Sequence, residues 1–320
     1  APMMDWTDRH CRAFHRVLTR RALLYTEMAV DQALIHGDPD RLIGFDPSEH
    51  PVAIQLGGAD PETLAAASKI AEAFGYAEIN LNVGCPSDRV QSGCFGARLM
   101  LEPERVRDCL IAMREAVSVP VTVKHRLGVD DQDPQTTLFD FVDIVAQSGV
   151  TSFTVHARKA WLKGLSPKEN RDIPPLDYGL VQRLKAERPE LEIILNGGLK
   201  TLAEAIENTA GIDGVMVGRA AYQTPWLLSE VDSRLFGDPD PVCDPVEAVL
   251  AYRPYVEARL AEGVKLHAVT RHMLGLFAGR PGARKWRQTL SAEANRPGAD
   301  WRVLERALDS LADQPTAVSA

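Results

Sequence analysis

The sequence predicts an α/β fold, a (β/α)8 barrel of the TIM type followed by a small all-helical C-terminal domain. Three observations carry that expectation. Short β-branched and apolar runs return at fairly even intervals, separated by stretches of helical periodicity. Many of those runs are apolar on both alternating faces, which suits parallel strands covered by helices better than half-exposed hairpins. No GxGxxG turn occurs anywhere, so the rival doubly wound sheet lacks its usual glycine signature.

The strand candidates are 23–28 (LLYTEM), 52–57 (VAIQLG), 77–83 (AEINLNV), 119–126 (VPVTVKHR), 152–158 (SFTVHAR), 192–197 (EIILNG) and 214–219 (GVMVGR). "APM" at 1–3 reads as the remnant of an eighth strand. Amphipathic stretches fall at 7–20, 61–74, 102–117, 136–147, 177–187 and 201–208. Asp60 followed by Pro61 makes an N-cap and a first helical residue. Thr201 with Glu204 reads as a capping box.

The alternation ends near 226–236, and the turn-rich "GDPDPVCDP" at 237–245 marks a boundary. Beyond it 246–262, 264–277, 284–294 and 300–312 read as helices, with a Gly/Pro turn at 279–283 and a frayed tail. The expected organisation is a catalytic domain over 1–236, a linker over 237–245 and a helical domain over 246–320.

Composition bounds the function classes. Of 320 residues, 45% are apolar and 25% charged, ordinary values for a globular chain. No apolar run reaches bilayer length and no basic-then-apolar leader is present, so we expect a cytoplasmic protein with no membrane association. Cys11, Cys85, Cys94, Cys109 and Cys243 form no CxxC pair, which suits a reducing compartment and gives no metal-ligand spacing. No obligate protein partner is evident, and a monomer is expected. The net charge of −8 speaks against nucleic acid until its distribution is read. Residues 265–306 hold nine Lys or Arg against three Asp or Glu, while 1–264 hold 27 against 39. A basic tail domain on an acidic body can steer a polyanion to one face, although a solvated helical face would look the same.

In such a barrel the active face lies at the C-terminal ends of the strands. The polar residues expected there are Pro2 and Met3 with Glu27, Gln55, Asn80, Asn82, Cys85, Lys124, His125, Arg126, His156, Arg158, Asn196, Gly197, Gly198, Gly218 and Arg219. "NGG" at 196–198 and "GR" at 218–219 read either as a phosphate cradle of free amides or as glycine turns without a ligand. Period-two alternation sends Lys124 and Arg126 to one side of their strand and His125 to the other. A lysine and an arginine in a cleft suit an electron-rich heterocycle; the plainer alternative pairs one of them with Glu27 or Glu78. Cys85, between Gly84 and Pro86, is held at the rim, either as a functional thiol or as a small buried hydrophobe. Cys94 is expected to pack in the loop that follows.

"APMMDWTDRHCR" at 1–12, "NLNVGCPSDRVQSGCFGARLM" at 80–100, "VKHRLG" at 123–128 and "HARKAWLKGLSPKENRDIPPLDY" at 156–178, with the two glycine turns, resemble the tRNA-dihydrouridine synthases and in detail their bacterial A-type branch. The resemblance implies an FMN-binding barrel and a helical domain that helps to hold tRNA. It implies NADPH-driven reduction of the C5–C6 bond of D-loop uridines (20/20a), with hydride passing from flavin N5 to uracil C6. It makes Cys85 the general acid, which must therefore act as a protonated thiol. By the same resemblance Pro2, Met3, Gln55, Lys124, His156, Asn196, Gly197, Gly198, Gly218 and Arg219 contact FMN. Asn82, Lys124, Arg126, His156 and Arg158 surround the target uracil, which has to be flipped out of its stack. Lys265, Arg271, Arg280, Arg284, Lys285, Arg287, Arg296 and Arg302 then become candidates for tRNA phosphates, and Trp286 and Trp301 either stack on RNA or fill the helical core. Two rivals remain at this point: an FMN oxidoreductase acting on a free small molecule, and a non-catalytic RNA-binding protein.

Overall fold

The computed structural model describes residues 1–87 and 93–312, so part of the cysteine segment and the expected frayed tail beyond 312 lie outside the described residues. Seven parallel strands form one sheet in sequential order. They are β1 (Leu24–Val30), β2 (Val52–Gly57), β3 (Glu78–Val83), β4 (Val121–Arg126), β5 (Ser152–His156), β6 (Glu192–Asn196) and β7 (Gly214–Met216). A doubly wound sheet reverses its strand order at a switch point, and this sheet does not. Residues 1–3 form no strand among those described, so the sheet has seven strands where the sequence predicts eight. The backbone nitrogen of Ala1 nevertheless donates to Val217 just beyond β7 at 2.8 Å.

The flanking helices lie at Pro61–Ala73, Pro103–Ala116, Pro134–Ala146, Tyr178–Glu187 and Leu202–Glu207. Asp60 caps the first of them by accepting from the Thr63 amide at 2.9 Å, with Pro61 in the first turn as its fixed φ allows. Thr201 accepts from the Glu204 amide at 3.1 Å, but Glu204 returns its bond to the Lys200 amide rather than to Thr201. Only half of the expected capping box is therefore formed.

Alternation along β3 shows how the sheet sorts its side chains. Ile79, Leu81 and Val83 are fully buried in the main apolar core with Leu64, Ala67, Val106 and Leu110. Glu78, Asn80 and Asn82 take the other face. On β4 His125 packs on Phe141 and Phe153, with ring centroids 4.9 and 5.9 Å away. Lys124 and Arg126 consequently share the face of Asn82.

By contact the chain falls into two compact units: residues 1–4, 23–45 and 51–218, and a second of 5–22, 46–50 and the chain from Arg219 onward. This division differs from the sequence-based one, which assigned the helix Arg9–Leu18 to the sheet domain. Within the second unit the Tyr252 hydroxyl donates to the His10 carbonyl at 2.8 Å, and Phe14 meets Tyr252 edge-on at 5.2 Å. Asp8 caps Arg9–Leu18 through the amides of His10 and Cys11 and also pairs with Arg271 at 2.6 Å. Arg12 and Glu49 make a buried ion pair at 2.6 Å.

The same unit holds the helices Pro245–Ala261, Leu266–Thr270, Ala283–Glu293 and Arg302–Ala312. Asp244 caps the first of these, with Pro245 at its start. Trp286 is 0% exposed, donates from Nε1 to the Met273 carbonyl at 3.0 Å and packs on Phe277. Trp301 is also buried, under Arg253. Both tryptophans are core residues, which removes them as base-stacking platforms. Trp286→Ala is expected to destabilise the protein by about 3–5 kcal/mol, the usual cost of emptying an aromatic core position, as read by chemical denaturation.

Candidate active site

The strands from β2 to β7 pair in phase, so residues distant in sequence meet at one edge. Asn82 pairs with Lys124, Arg126 with His156, and His156 with Asn196. Asn196 pairs with Met216 and donates from Nδ2 to its carbonyl at 2.7 Å.

Cys85 sits in a turn immediately beyond β3. The Oδ1 of Asn82 accepts from the amides of Gly84 at 3.1 Å and Cys85 at 3.0 Å. The Cys85 carbonyl accepts from the Ala97 amide at 2.9 Å. Cys85 is thus held at both backbone groups while its half-buried sulfur lies 3.5 Å from the Ser87 hydroxyl. The Nδ2 of Asn82 donates to Gln55 Oε1 at 2.7 Å. Asn82, expected beside a substrate, spends its oxygen on the cysteine turn. Cys94 departs from expectation in another way: it is exposed instead of packed, and its φ of +59° is uncommon for a residue other than glycine.

Lys124 makes no hydrogen bond or ion pair among the described residues. The alternative pairing with Glu78 does not form, because Glu78 is occupied by Tyr25 and Thr122. Burial pushes the Lys124 ammonium down to about 7, and the neighbouring Arg126 charge adds to the effect. Lys124 still keeps partial solvent contact.

Arg126 is 3% exposed and braces the rim. Its Nε donates to the Gly84 carbonyl at 3.1 Å, and its Nη1 to the carbonyls of Lys159 and Asn170 at 3.1 and 2.9 Å. It ties the cysteine turn to the loop after β5. Arg158 donates to the carbonyls of Asp172 and Pro174 in that loop. The loop is stapled from within by Asn170, fully buried, whose Nδ2 donates to the Trp161 and Leu165 carbonyls and whose Oδ1 accepts from the Trp161 amide.

The turn after β6 is tightly enclosed. Gly197 and Gly198 have φ of +110° and +74°. A Cβ on Gly197 would stand 2.6 Å from the His156 ring, and one on Gly198 would stand 2.4 Å from Leu176. Protein packing alone therefore requires glycine at both. Around Gly218 there is more room, with Ala1 Cβ and Met3 Sδ at 3.6 and 4.0 Å from a modest added methyl. Pro2 is half-buried beside them in sequence. The amides of Gly197, Gly198 and Gly218 donate to no other described residue. Arg219 follows directly and opens the short helix Arg219–Gln223 in the second unit.

Among the basic candidates, Arg284, Lys285 and Arg287 are exposed on the helix Ala283–Glu293 and carry no ion pair among the described residues. Lys265 is exposed just before Leu266–Thr270. Arg271 is different: Asp8 holds it. Sequence reasoning missed Asn170, Tyr178 and Thr122. Tyr178 donates its hydroxyl to the Gly197 carbonyl at 2.6 Å. No local signal marks Asn170 or Tyr178.

A sequential parallel α/β sheet with reactive and cationic side chains gathered at its carboxyl edge defines an enzyme-like class, and comparison agrees on the architecture. A 2-naphthoyl-CoA reductase in complex with 2-naphthoyl-CoA aligns with a TM-score of 0.54 at 11% identity, covering 72% of this chain and 47% of that one. That likeness bears on the fold alone. The family model for dihydrouridine synthase (Dus) matches residues 1–312, and the chain belongs to that family. Proteins named tRNA-dihydrouridine(20/20a) synthase are similar throughout: 58% identity in Yersinia pestis over 96% of this chain and 89% of that protein. The Escherichia coli K12 protein shares 57% over 98% and 91%, and the Xanthomonas campestris protein 54% over 100% and 95%.

The Lys124 environment sets a pH dependence. Its ammonium is disfavoured in the folded chain, so its contribution to stability is complete above the ordinary lysine value of 10.5 and is lost as pH falls to about 7. In ligand-free protein, Lys124→Met should gain stability over the parent progressively from pH 10.5 down to 7 and hold that gain below 7, measured by urea denaturation.

Proposed function

We propose that this protein reduces the C5–C6 double bond of uridines 20 and 20a of tRNA to 5,6-dihydrouridine, with FMN as bound cofactor and NADPH as reductant. The names and near-full-length identity of its relatives support the reaction and the tRNA positions. The observation that carries the site assignment is the Cys85 turn, fixed at both amide and carbonyl, on the same strand edge as three amides that donate to no other described residue.

The residues present fit a flavin phosphate and ring. The amides of Gly197, Gly198 and Gly218 are available to phosphate oxygens, and Arg219 adds charge next in the chain. Pro2, Met3, His156 and Asn196 line the remaining cofactor contacts, while Gln55, 1% exposed with both ends of its amide bonded to Asn80 and Asn82, backs Asn82 from behind. Lys124, without an ion pair among the described residues and easily deprotonated, would regain full charge beside the electron-rich edge of a bound flavin. The hydrogen bond from Ala1 to Val217 supports residues 1–3 as the piece that closes the sheet into an eight-membered barrel.

FMN, when bound, would supply the hydride for uracil C6. Cys85 gives its proton to C5 from the opposite face, so it must enter the step as a thiol and leave as a thiolate. Arg126 and Arg158 set positive charge beside the carbonyl oxygens as negative charge develops there, and Asn82 keeps the sulfur on the trajectory. A stacked base hides its C5–C6 edge, so the uridine is flipped into the cleft. The helical segment 246–320 serves as the tRNA-binding part, with Lys265, Arg284, Lys285 and Arg287 on phosphates. Arg271 contributes there only if it exchanges Asp8 for a phosphate.

Incubation with FMN, NADPH and unmodified tRNA, against free uridine, tests the reading by mass spectrometry of dihydrouridine. Product on tRNA alone is expected; equal product on uridine would favour a small-molecule reductase, and none on either would remove the activity. Cys85→Ala should keep FMN and its reduction by NADPH while turnover on tRNA falls by about 10²–10⁴, the usual worth of a general acid. Reversing the charge of Arg284 and Arg287 together should raise KM for tRNA and flatten its salt dependence, with KM for NADPH unmoved.

A further inference from the structure

A continuous series of hydrogen bonds crosses the inner face of the sheet from the base of β3 to the cysteine turn. Glu78 Oε1 accepts from the hydroxyls of Tyr25 at 2.6 Å and Thr122 at 2.7 Å. Thr122 Oγ1, with its proton committed to the carboxylate, accepts from Asn80 Nδ2 at 2.8 Å. Asn80 Oδ1 accepts from Gln55 Nε2 at 2.8 Å, and Gln55 Oε1 from Asn82 Nδ2 at 2.7 Å. Asn82 Oδ1 is thereby left facing the amides of Gly84 and Cys85.

The order is not reversible. Burial raises the Glu78 carboxyl above its ordinary range, yet its Oε1 accepts from both hydroxyls, and each amide downstream then has one orientation that avoids setting N–H against N–H. Asn80, Gln55 and Thr122 are 0%, 1% and 5% exposed, so water does not replace a lost partner there. From this geometry we infer that Glu78 and Thr122, which do not touch the reacting atoms, are positioning residues for Cys85. They fix the orientation of three amide side chains and through them the turn that carries the thiol. The inference rests on the reading of Cys85 as proton donor, and extends it to the opposite end of β3.

Site-resolved labelling of the full chain by iodoacetamide tests it without relying on activity, because the exposed Cys94 and Cys243 serve as internal references. Thr122→Val keeps the side-chain shape and removes the link. Cys85 labelling should rise about fivefold, the equilibrium equivalent of one net hydrogen bond, while the reference thiols are unchanged. The kcat on tRNA should fall by a similar factor with KM for tRNA retained. Thr122→Ser, which restores the hydroxyl, should return both to the parent values, as a purely packing role would not. If Thr122→Val does not fold, Asn80→Ala interrupts the series one link nearer Cys85 and is read in the same way. Parent-like labelling and kcat in the interrupted variant, or no rescue by serine, would overturn the inference. Full turnover in Cys85→Ala would instead overturn the donor assignment, and the labelling result would stand apart from it.

Discussion

Parallel pairing that stays in phase from β2 to β7 is the constraint on which the site depends. Side chains alternate with a period of two, so a slip of one residue on β4 would turn Lys124 and Arg126 into the helical layer and bring His125 into the cleft. His125 resists that slip. Its ring is 0% exposed between Phe141 and Phe153, and burial keeps it neutral by lowering it to about 4. An apolar anchor on the outer face thus secures the placement of two cations on the inner one. The single irregularity, between Tyr25 and Met28 on β1, lies to one side of this register.

Within that frame the polar interior divides into groups that are fully committed and groups that are available. Asn80, Gln55 and the oxygen of Asn82 are bonded to protein, and three of the five N–H groups of Arg126 are spent on backbone carbonyls. Among the described residues, Lys124 and the amides after β6 and β7 are the available ones. A site built this way keeps its own geometry when empty, and leaves to an incoming anion only the groups that the protein has not already used.

Most of the framework was legible in the sequence because it is local. The segment 52–57 is a strand over its predicted span, the Asp60–Pro61 start is a helix start, and the Gly84–Cys85–Pro86 flank does place Cys85 just past a strand. What was not legible is non-local. Nothing near Asn82 announces that its oxygen goes to the backbone two and three residues on instead of to a ligand, and nothing near Arg271 points to Asp8, 263 residues away. The membership of Arg9–Leu18 in the second unit has the same origin, since Tyr252 and Arg271 become its neighbours only after the chain has folded. The last predicted strand was too long because Arg219 begins a helix three residues past Met216. The "GR" turn interrupts what its composition suggests is a continuous run.

The series from Glu78 to Cys85 also bears on how such a protein can vary over time. Its members lie on four strands and far apart in the chain, yet the donor of each is meaningful only against the acceptor of the next. Aspartate for Asn80, a change of one nucleotide in either codon and nearly none in volume, would face the Thr122 oxygen with a second acceptor. A single step at any of these positions therefore leaves its neighbour mismatched, whereas a change on the outer face alters only volume. The inner polar face is thus constrained as one unit, and the outer face residue by residue.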